Sequence, residues 1–308
     1  MQTQNRGALL PWLALLTIWT VWGSTYLGMK LAVETIPPFF MTAMRFFIAA
    51  PILLLFASPA IKRGEVRVTP TQLKSAALIG VLLLLGGTGL GALAQRYLDS
   101  SFAALMVSLS PIWMSTFTAL RTKRSPDRKV MLALVVGLIG IGIMVGGPGS
   151  GHISLLGVVL IMTSSLAWSY GTVESRFREL PRNSFVSSAL QMLTGGIALM
   201  TISFARGEWQ ELSIADISTK SWIAFCWLVL AGSVLAYSAY MYANRTLPIE
   251  VVSTYAYVNP VLAVLLGAWI DNDPVGPNVI FGGIVILSAV VFIVSGHRTR
   301  HGTIDDES

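Results

Sequence analysis

Long apolar stretches separated by short charged connections run through the whole chain. Nine of the ten stretches are at least 20 residues long, and a helix of ~20 apolar residues crosses the ~30 Å hydrocarbon core of a bilayer. The pattern therefore predicts ten transmembrane helices. The second is the least regular, because Arg45 interrupts its apolar run. The stretches without Asp, Glu, Lys or Arg are residues 7–29, 46–61, 75–95, 100–120, 130–151, 153–173, 183–205, 221–244, 251–270 and 274–296.

These stretches are apolar all round, which argues against the alternative of a soluble protein with buried amphipathic helices. Only 12% of the residues are charged and 54% are hydrophobic, and the mean hydropathy is +0.69, whereas soluble domains carry about 25% charged residues. The longest hydrophilic connection, residues 206–220, is too short for a nucleotide-binding domain. The phosphate-binding pattern G-x-x-x-x-G-K-[ST] does not occur either. We therefore expect no ATP-driven motor.

Basic residues are distributed unequally between the two sides of the predicted membrane. With both termini placed in the cytoplasm, 16 of the 21 Lys and Arg residues fall on that side, 4 fall outside, and Arg45 lies within the membrane. Such an excess sets the orientation of a membrane protein. It also accounts for the pI of about 9.6 without a nucleic-acid partner. The cytoplasmic residues are Arg6, Lys62, Arg63, Arg67, Lys74, Arg121, Lys123, Arg124, Arg128, Lys129, Arg176, Arg178, Arg182, Arg245, Arg298 and Arg300.

The chain resembles itself at an offset of 149 residues. AQRYLDSSFAALMVSLSP (94–111) aligns without a gap with ANRTLPIEVVSTYAYVNP (243–260). At the same offset, VMLALVVGLIGIGIMVGG (130–147) aligns with VIFGGIVILSAVVFIVSG (279–296). Chance similarity between apolar segments is the alternative, but one offset holds across two spans and their connection. The pattern indicates an internal repeat.

Each predicted repeat contains five helices, in residues 8–147 and 153–296, and residues 297–308 form a short cytoplasmic tail. Because five is odd, the second copy enters the bilayer from the opposite face. The predicted fold is thus an all-α integral membrane protein of ten helices in two inverted repeats, with both termini cytoplasmic. Inverted repeats are typical of secondary transporters, whose substrate sites lie near the midplane at the repeat interface.

Two prolines, Pro111 and Pro260, occupy equivalent places in the repeat. Each lacks the N–H that would bond the carbonyl four residues earlier, which belongs to Val107 or Ala256. Within a bilayer, a freed carbonyl is tolerated only against protein or a water-filled cavity. We therefore predict that these prolines are hinges in kinked helices that line a central cavity. The alternative is a packing kink whose carbonyl is satisfied by a neighbouring Ser or Thr.

Aromatic and hydroxyl side chains near the predicted midplane are candidates for substrate contacts. Near offset 146, Trp22 matches Trp168 and Arg45 matches Gln191. Trp22 lies roughly 12 Å along its helix from Lys30, which is deep for an interfacial anchor. Aromatic rings with scattered hydroxyls suit amino acids or flat organic cations. The predicted substrate-binding residues are Trp22, Ser24, Gln95, Ser108, Ser110, Trp168, Tyr170, Tyr255, Tyr257 and Asn259.

Charged residues inside the membrane are few. Arg45 is predicted about 9 Å inside its helix, where it binds a substrate anion, holds helix carbonyls in a structural role or snorkels outward. No Asp or Glu lies near the centre of a predicted span, since Glu174 and Glu250 fall at cytoplasmic ends. Carboxylates relay protons in many pumps, so facilitated diffusion is favoured and proton coupling stays an alternative. The histidines lack metal-ligand spacing, and we expect no metal, cofactor or catalytic residue.

Several segments resemble a known family. They are WGSTYLGMK (22–30), MRF (44–46), SP (110–111) and SAYMYANRTLPIEVVSTYAYVNPVLAVLLG (238–267). Together with the glycine-rich ends of helices 5 and 10, they are similar to the drug/metabolite transporter superfamily, in particular its ten-helix EamA type. The resemblance covers roughly residues 12–296. It implies two five-helix repeats, cytoplasmic termini and efflux of small metabolites. Four-helix multidrug members carry a Glu in helix 1, and this chain has none there.

The expected function is therefore secondary transport across the bacterial inner membrane. The protein is predicted to move small amphipathic metabolites, amino acids or drug-like compounds, by alternating access, with efflux as the favoured direction. Its expected partners are the small-molecule substrate and the lipid bilayer, and the sequence does not define its oligomeric state. A membrane-embedded enzyme or lipid-handling scaffold is one alternative, although no reactive group of residues is visible. A channel is the other.

The charge asymmetry predicts the location of the carboxyl terminus. A green fluorescent protein fused after Ser308 should fluoresce, because that end is expected in the cytoplasm, and an alkaline phosphatase fused there should be inactive. The two fusions are compared in whole cells at equal expression. Phosphatase activity with a dark fluorescent fusion would contradict the predicted orientation.

Overall fold

The computed structural model describes residues 4–94, 97, 106–125, 127–145, 154–270 and 276–302. All regular secondary structure in these residues is helical, with no strand among them. The long helices are α1 (Gln4–Ala32), α2 (Pro38–Lys62), α3 (Pro70–Ala94), α4 (Ser110–Thr122), α5 (Arg128–Val145), α6 (Leu155–Phe177), α7 (Ser184–Ala205), α8 (Thr219–Thr246), α9 (Tyr255–Ile270) and α10 (Pro277–Gly302). Short helices at Glu208–Glu211 and Ile249–Ser253 and a 3₁₀ turn at Ile214–Asp216 precede α8 or α9.

Within the described residues, five of these helices are long and apolar enough to cross a membrane. They are α2, α3, α6, α7 and α8, with mean hydropathies of 1.4 to 2.1. An apolar segment also runs from Ile280 to Ile293 in α10. The second apolar run, which Arg45 interrupts in the sequence, lies in one continuous 25-residue helix. α10 continues to Gly302, so the first part of the segment predicted as a tail is helical.

Helix starts follow from local sequence. α3 begins with Pro70 after Thr69, whose hydroxyl accepts the N–H of Gln72 while the Gln72 side chain accepts the N–H of Thr69. This capping box satisfies two backbone donors that the first helical turn leaves free. The Asn183 side chain caps α7 by accepting the N–H groups of Phe185 and Val186 at 3.0 and 3.2 Å. These caps fix where the chain enters each helix.

The second helix of each half, α2 and α7, lie side by side and run antiparallel. At the start of α2, the N–H of Phe40 donates at 2.9 Å to Glu208, which follows the end of α7. Near the other end, the Phe56 ring lies 5.9 Å from the ring of Phe185 at the start of α7. Opposite directions for equivalent helices are what the predicted inverted repeat requires.

Helix contacts keep the same pattern when the two halves are exchanged. α2 packs against α7, and α5 packs against α10. α1 packs against α8 and α9, as α6 packs against α3 and α4, and α3 packs against α7 as α8 packs against α2. A two-fold pseudo-symmetry produces this set of pairs, so the two repeats found in the sequence are also repeats of packing.

The third helix of each half contains a π-helical segment, Val81–Gly89 in α3 and Leu228–Tyr237 in α8. The apolar pattern alone predicted uninterrupted α-helices here, because a change from i→i+4 to i→i+5 hydrogen bonds leaves no mark on hydropathy. π segments interrupt the regular ladder and recur at functional sites. Their equivalent positions place one on each side of the pseudo-two-fold.

The two glycine motifs differ in whether their glycines lie at close contacts between helices. GGTGLG (86–91) and GIMVG (142–146) both predict close helix packing. The prediction is confirmed at Gly87, where an added Cβ would lie 2.6 Å from the ring of Trp168. It is not met at Gly142, where no atom of the described residues lies within 4 Å of that position, and Gly146 lies outside these residues. A spacing of four residues therefore identifies close contacts only where another helix is present.

The closest helix crossing predicts a large effect of a small substitution. A Cβ at Gly80 would lie 2.3 Å from the carbonyl oxygen of Gln191, so Gly80→Ala should lower stability by about 1–3 kcal/mol through overpacking. Gly142→Ala is the matched control, because its Cβ meets no atom of the described residues. The readout is the apparent melting temperature in detergent by size-exclusion chromatography. Equal melting temperatures for the two variants would contradict this crossing.

Candidate functional site

Four aromatic side chains from four helices meet in the centre of the bundle, and we call them the aromatic cluster: Trp22, Trp168, Tyr240 and Tyr255. The Trp22 ring centroid lies 5.6 Å from that of Trp168, 4.9 Å from Tyr240 and 5.2 Å from Tyr255. The edge-on approaches of Trp22 to Trp168 and Tyr255 are favourable for aromatic rings. Tyr240 and Tyr255 are buried, whereas both tryptophans keep part of their surface accessible.

The two tryptophans hold equivalent positions in the two repeats and touch each other. Equivalent residues meet only where the pseudo-two-fold passes, so their contact marks the interface of the halves. Trp22 lies 10 residues before the end of α1, and Trp168 lies 9 residues before the end of α6. At 1.5 Å per residue these depths are about 15 and 14 Å, half the thickness of a hydrocarbon core. The aromatic cluster therefore lies near the midplane.

Both tryptophans are positioned by the π segments of the opposite half. The Trp22 Nε1–H donates to the carbonyl of Gly232 at 3.3 Å. Trp168 packs on Gly87, and the carbonyl of Gly87 accepts the Ser164 hydroxyl at 2.6 Å. The first contact uses a backbone carbonyl of the π segment in α8, and the second needs a residue without a side chain. Residues of the π segments thus contact both tryptophans and fix their positions.

The polar atoms of the cluster bond to neutral groups. The Trp168 Nε1–H donates to the Tyr255 hydroxyl at 2.6 Å. The Tyr240 hydroxyl is hydrogen-bonded to Thr172 on the next turn of α6. Asn244 Nδ2–H donates to the carbonyl of Thr172 at 3.1 Å. An aromatic surface with two hydroxyls at its edge results, and such a surface accepts flat or apolar groups and hydrogen-bonds polar ones.

A chain of hydrogen bonds leads from the cluster toward the basic end of the bundle. The Tyr237 ring lies 6.3 Å from Tyr240, and its hydroxyl donates to Gln191 Oε1 at 2.7 Å. Gln191 Nε2–H donates to the Ser187 hydroxyl at 3.1 Å, which also accepts from Arg245 at 2.9 Å. The chain ties α8 to α7 and fixes the side chains behind the cluster.

Serine hydroxyls satisfy the carbonyls that the two prolines free. The Ser110 hydroxyl donates to the carbonyl of Val107 at 2.6 Å, and the Ser108 hydroxyl donates across to the carbonyl of Ala256 at 3.3 Å. The second bond joins the turn just before α4 to α9. Both serines, predicted as cavity lining, are fully buried and serve the backbone in this structure. The packing alternative therefore accounts for both carbonyls.

The prolines themselves lie close to breaks in their helices. Pro111 is in the first turn of α4, which starts at Ser110 after a turn. Pro260 lies inside α9, and the break falls earlier, at Thr254, between the short helix and α9. The predicted hinge role concerns motion, so it stays a prediction for both residues.

Asn259 cross-links α9 to α1. In the amide orientation that satisfies its neighbours, its nitrogen donates to the carbonyls of Tyr255 and Trp19 at 3.2 and 3.1 Å. The Trp19 indole in turn donates to the Thr254 hydroxyl at 3.2 Å. Asn259 thus lies behind Tyr255, where it fixes the backbone of the cluster. No contact in the described residues brings its side chain to the ring faces.

Three predicted residues lie away from the aromatic cluster. The Tyr257 hydroxyl donates to the carbonyl of Leu134 at 2.8 Å, and its ring is buried against α5. Tyr170 points outward and meets Phe117 edge-on at 5.5 Å. Ser24 donates to its own helix and accepts the indole N–H of Trp227 at 3.1 Å. Gln95 lies outside the described residues.

Arg45 lies next to Gly232, the residue whose carbonyl accepts the indole N–H of Trp22. Its Nε–H donates to the Ser233 hydroxyl at 2.5 Å, and its guanidinium lies 5.3 Å from the Phe46 ring. A terminal nitrogen is 2.9 Å from the Cβ position of Gly232, whose carbonyl bonds Trp22. The side chain is 7% exposed. Arg45 thus places a positive charge between α2 and α8, beside Trp22.

Sequence reasoning missed Tyr240, Tyr237 and Thr172. A signal was present, since the two tyrosines are three residues apart and therefore near one another on one helical face in an otherwise apolar run. Their partner in the first repeat is not aromatic, so the comparison of repeats did not select them. Thr172 gave no signal, because its importance depends on the Tyr240 hydroxyl reaching it.

An all-helical membrane bundle of two similar halves, with an aromatic cluster at their interface, has the architecture of a membrane transporter. Residues 9–146 and 155–295 each match the EamA-like transporter family. The chain belongs to this family and is a multi-pass inner-membrane transporter.

Relatives agree with this assignment. The uncharacterized inner membrane transporter YedA of Escherichia coli strain K12 is 34% identical over 285 residues, which cover 92% of this chain and 90% of YedA. The uncharacterized transporter YvbV of Bacillus subtilis strain 168 is 25% identical over 303 residues, covering 94% of this chain and 92% of YvbV. One crystal structure of a protein 18% identical to this chain superposes with a TM-score of 0.75, covering 93% of this chain and 97% of the other, which supports the fold.

The bond from Ser108 to the carbonyl freed by Pro260 predicts a rescue experiment. Ser108→Ala should cost about 1–3 kcal/mol, because it leaves a buried acceptor with one donor fewer. Adding Pro260→Ala should restore much of the loss, since residue 260 then has an N–H for the Ala256 carbonyl. Melting temperature in detergent is the readout. Ser288→Ala is the control, because that exposed hydroxyl donates to the carbonyl of Ile284 in its own helix. Failure of Pro260→Ala to rescue would contradict the bond.

Proposed function

We propose that this protein moves small amphipathic metabolites across the inner membrane by alternating access, with net flux outward. The substrate would lie against the aromatic cluster. One observation carries the proposal: equivalent tryptophans from the two repeats meet at mid-depth, at the interface between the halves. In transporters built from inverted repeats, that is where substrate and coupling-ion sites lie.

The proposed topology has ten membrane crossings and both termini in the cytoplasm. The repeats would correspond to residues 8–147 and 153–296, and residues 297–308 would follow on the cytoplasmic side. Support comes from the antiparallel α2 and α7 and from the basic residues gathered in the connections at one end of the bundle. Each half can then adopt either of two packings, and exchanging them opens the site to the opposite face.

The chemistry of the cluster favours substrates with a flat or apolar part and a few polar groups. Two indoles and two phenols offer ring faces, and hydroxyls from Tyr240 and Tyr255 lie at the edge. Arg45 supplies a positive charge one glycine away from Trp22, in a position to pair with a carboxylate. Amino acids with apolar side chains combine these features, as do many aromatic drug-like compounds.

Hinge motion would occur where helices α4 and α9 are already interrupted. The breaks before Ser110 and at Thr254 lie in equivalent helices and are bridged by the Ser108 bond. Ser108, Ser110 and Asn259 would then act on transport by holding these breaks, while Trp22, Trp168 and Tyr255 contact the substrate. Tyr257, Tyr170, Ser24 and Gln95 remain candidates from the sequence alone.

Counterflow in liposomes tests the proposal. Purified protein is reconstituted with an unlabelled compound inside, and uptake of the labelled compound is followed for a panel of amino acids and flat organic cations. Trp22→Ala and Trp168→Ala should each lower exchange at least tenfold, because each removes a ring face from the site. Trp209→Ala is the control, since this tryptophan lies in a connecting helix and is 51% exposed.

Folding of each variant is checked by its melting temperature, so that loss of transport is separated from loss of structure. Equal exchange by all three folded variants would overturn the role of the aromatic cluster. Discrete current steps in a planar bilayer, in place of counterflow, would favour a channel.

A further inference from the structure

A cavity lies between α4 and α6, near the ends of these helices that carry basic residues. Its volume is about 520 Å³, and it opens to the outside of the bundle. The cavity is separate from the aromatic cluster, because Tyr170 in its wall points away from Trp168. Its lining consists of Phe117, Leu120, Arg121, Tyr170, Val173, Glu174 and Arg178.

Two guanidinium groups at this cavity share a single carboxylate. Arg178 Nε–H donates to Glu174 at 2.9 Å, and Arg121 Nε lies 3.4 Å from the other Glu174 oxygen. The Glu174 side chain is 5% exposed, whereas those of Arg121 and Arg178 are 52% and 38% exposed. The terminal nitrogens of both arginines make no hydrogen bond to any residue that the structure describes. Among the residues that the structure describes, the site therefore has an excess of one positive charge, and donors without a protein partner lie at its mouth.

The rest of the cavity wall is apolar and exposed. Leu120 is 70% exposed and Tyr170 is 41% exposed. Phe117 packs edge-on to Tyr170, and Phe177, which is 44% exposed, lies under the Arg121 guanidinium at 5.4 Å. In an inner-membrane protein, an outward apolar wall of this kind is covered by acyl chains. The charged mouth and the apolar wall therefore belong to the same cavity.

The cavity lies at the depth of lipid head groups. Phe177 ends α6, and Glu174 is three residues earlier, about 4.5 Å along the axis. Exposed basic residues continue beyond it at Lys123, Arg124 and Arg128. Basic pockets between transmembrane helices on the cytoplasmic side bind the head groups of anionic lipids.

We propose that this cavity binds one anionic phospholipid, with the phosphate between Arg121 and Arg178 and an acyl chain along Leu120 and Tyr170. Guanidinium groups bind phosphate through paired N–H donors, which the terminal nitrogens provide. A free phosphate would fill only the charged mouth and leave the apolar wall uncovered. A zwitterionic lipid would bring its ammonium close to two guanidinium groups. The site is independent of the transported substrate.

Lipid binding is measured by native mass spectrometry on the full chain, titrated with phosphatidylglycerol or phosphatidylcholine. Wild-type protein should bind one phosphatidylglycerol at least tenfold more tightly than phosphatidylcholine. Arg121→Gln/Glu174→Gln/Arg178→Gln should lower phosphatidylglycerol affinity at least fivefold, and it leaves no buried unpaired carboxylate. Arg124→Gln is the control, since it makes the same net charge change at an exposed neighbour, and it should bind like the wild type.

Arg121→Gln alone keeps Glu174 paired with Arg178, and it supplies the test if the triple variant is unstable; a twofold or greater loss is expected. Equal losses in the control and the cavity variants would overturn the site in favour of general charge attraction. Equal affinity for phosphatidylcholine would also overturn it. Displacement of phosphatidylglycerol by millimolar inorganic phosphate would overturn the lipid proposal and identify the ligand as a soluble anion.

Discussion

Backbone groups that leave the helical ladder inside the hydrocarbon core must bond to another part of the protein, and this requirement organises the centre of the bundle. Pro260 frees the carbonyl of Ala256, and Ser108, in the turn just before α4, supplies the missing donor. Asn259 bonds carbonyls on both its own helix and α1. The same irregularities that weaken α4 and α9 as helices therefore join them to their neighbours. These neighbours carry the aromatic cluster, so its geometry depends on the satisfied carbonyls.

The two halves share an architecture but differ in chemistry at their interface. The Trp22 indole bonds a backbone carbonyl, whereas the equivalent Trp168 indole bonds the Tyr255 hydroxyl. Arg45 and its counterpart Gln191 also differ in charge, and they bond a serine and a tyrosine. Exchanging the two packings would therefore not regenerate identical contacts. In the proposed alternating access, each access state would have its own set of bonds, which would let a substrate favour one state over the other.

Hydropathy and charge were enough to predict an all-helical membrane protein of two repeats, because a span must be apolar over a fixed length and connections carry the charge. Trp22 and Trp168 were selected as candidates because tryptophan occupies the equivalent position in both repeats. The hydrogen-bond partners of individual side chains were harder to predict from the sequence. Ser108 and Ser110 were assigned to a cavity, yet the hydroxyls serve freed carbonyls, and hydropathy does not distinguish these uses. The π segments and the Tyr240 bond to Thr172 depend on three-dimensional geometry and leave no periodic signal.

The central claim is that the aromatic cluster opens to each side of the membrane in turn. Thr25 lies beside it, with its methyl group 3.0 Å from the Cβ position of Gly232, next to Arg45. Thr25→Cys in a Cys226→Ser background gives a single thiol, because Cys226 is the chain's only cysteine. Labelling by a membrane-impermeant maleimide is measured from each face of the reconstituted membrane. Alternating access predicts labelling from both faces, slowed on both by substrate. Labelling from one face only, under every condition, would contradict it.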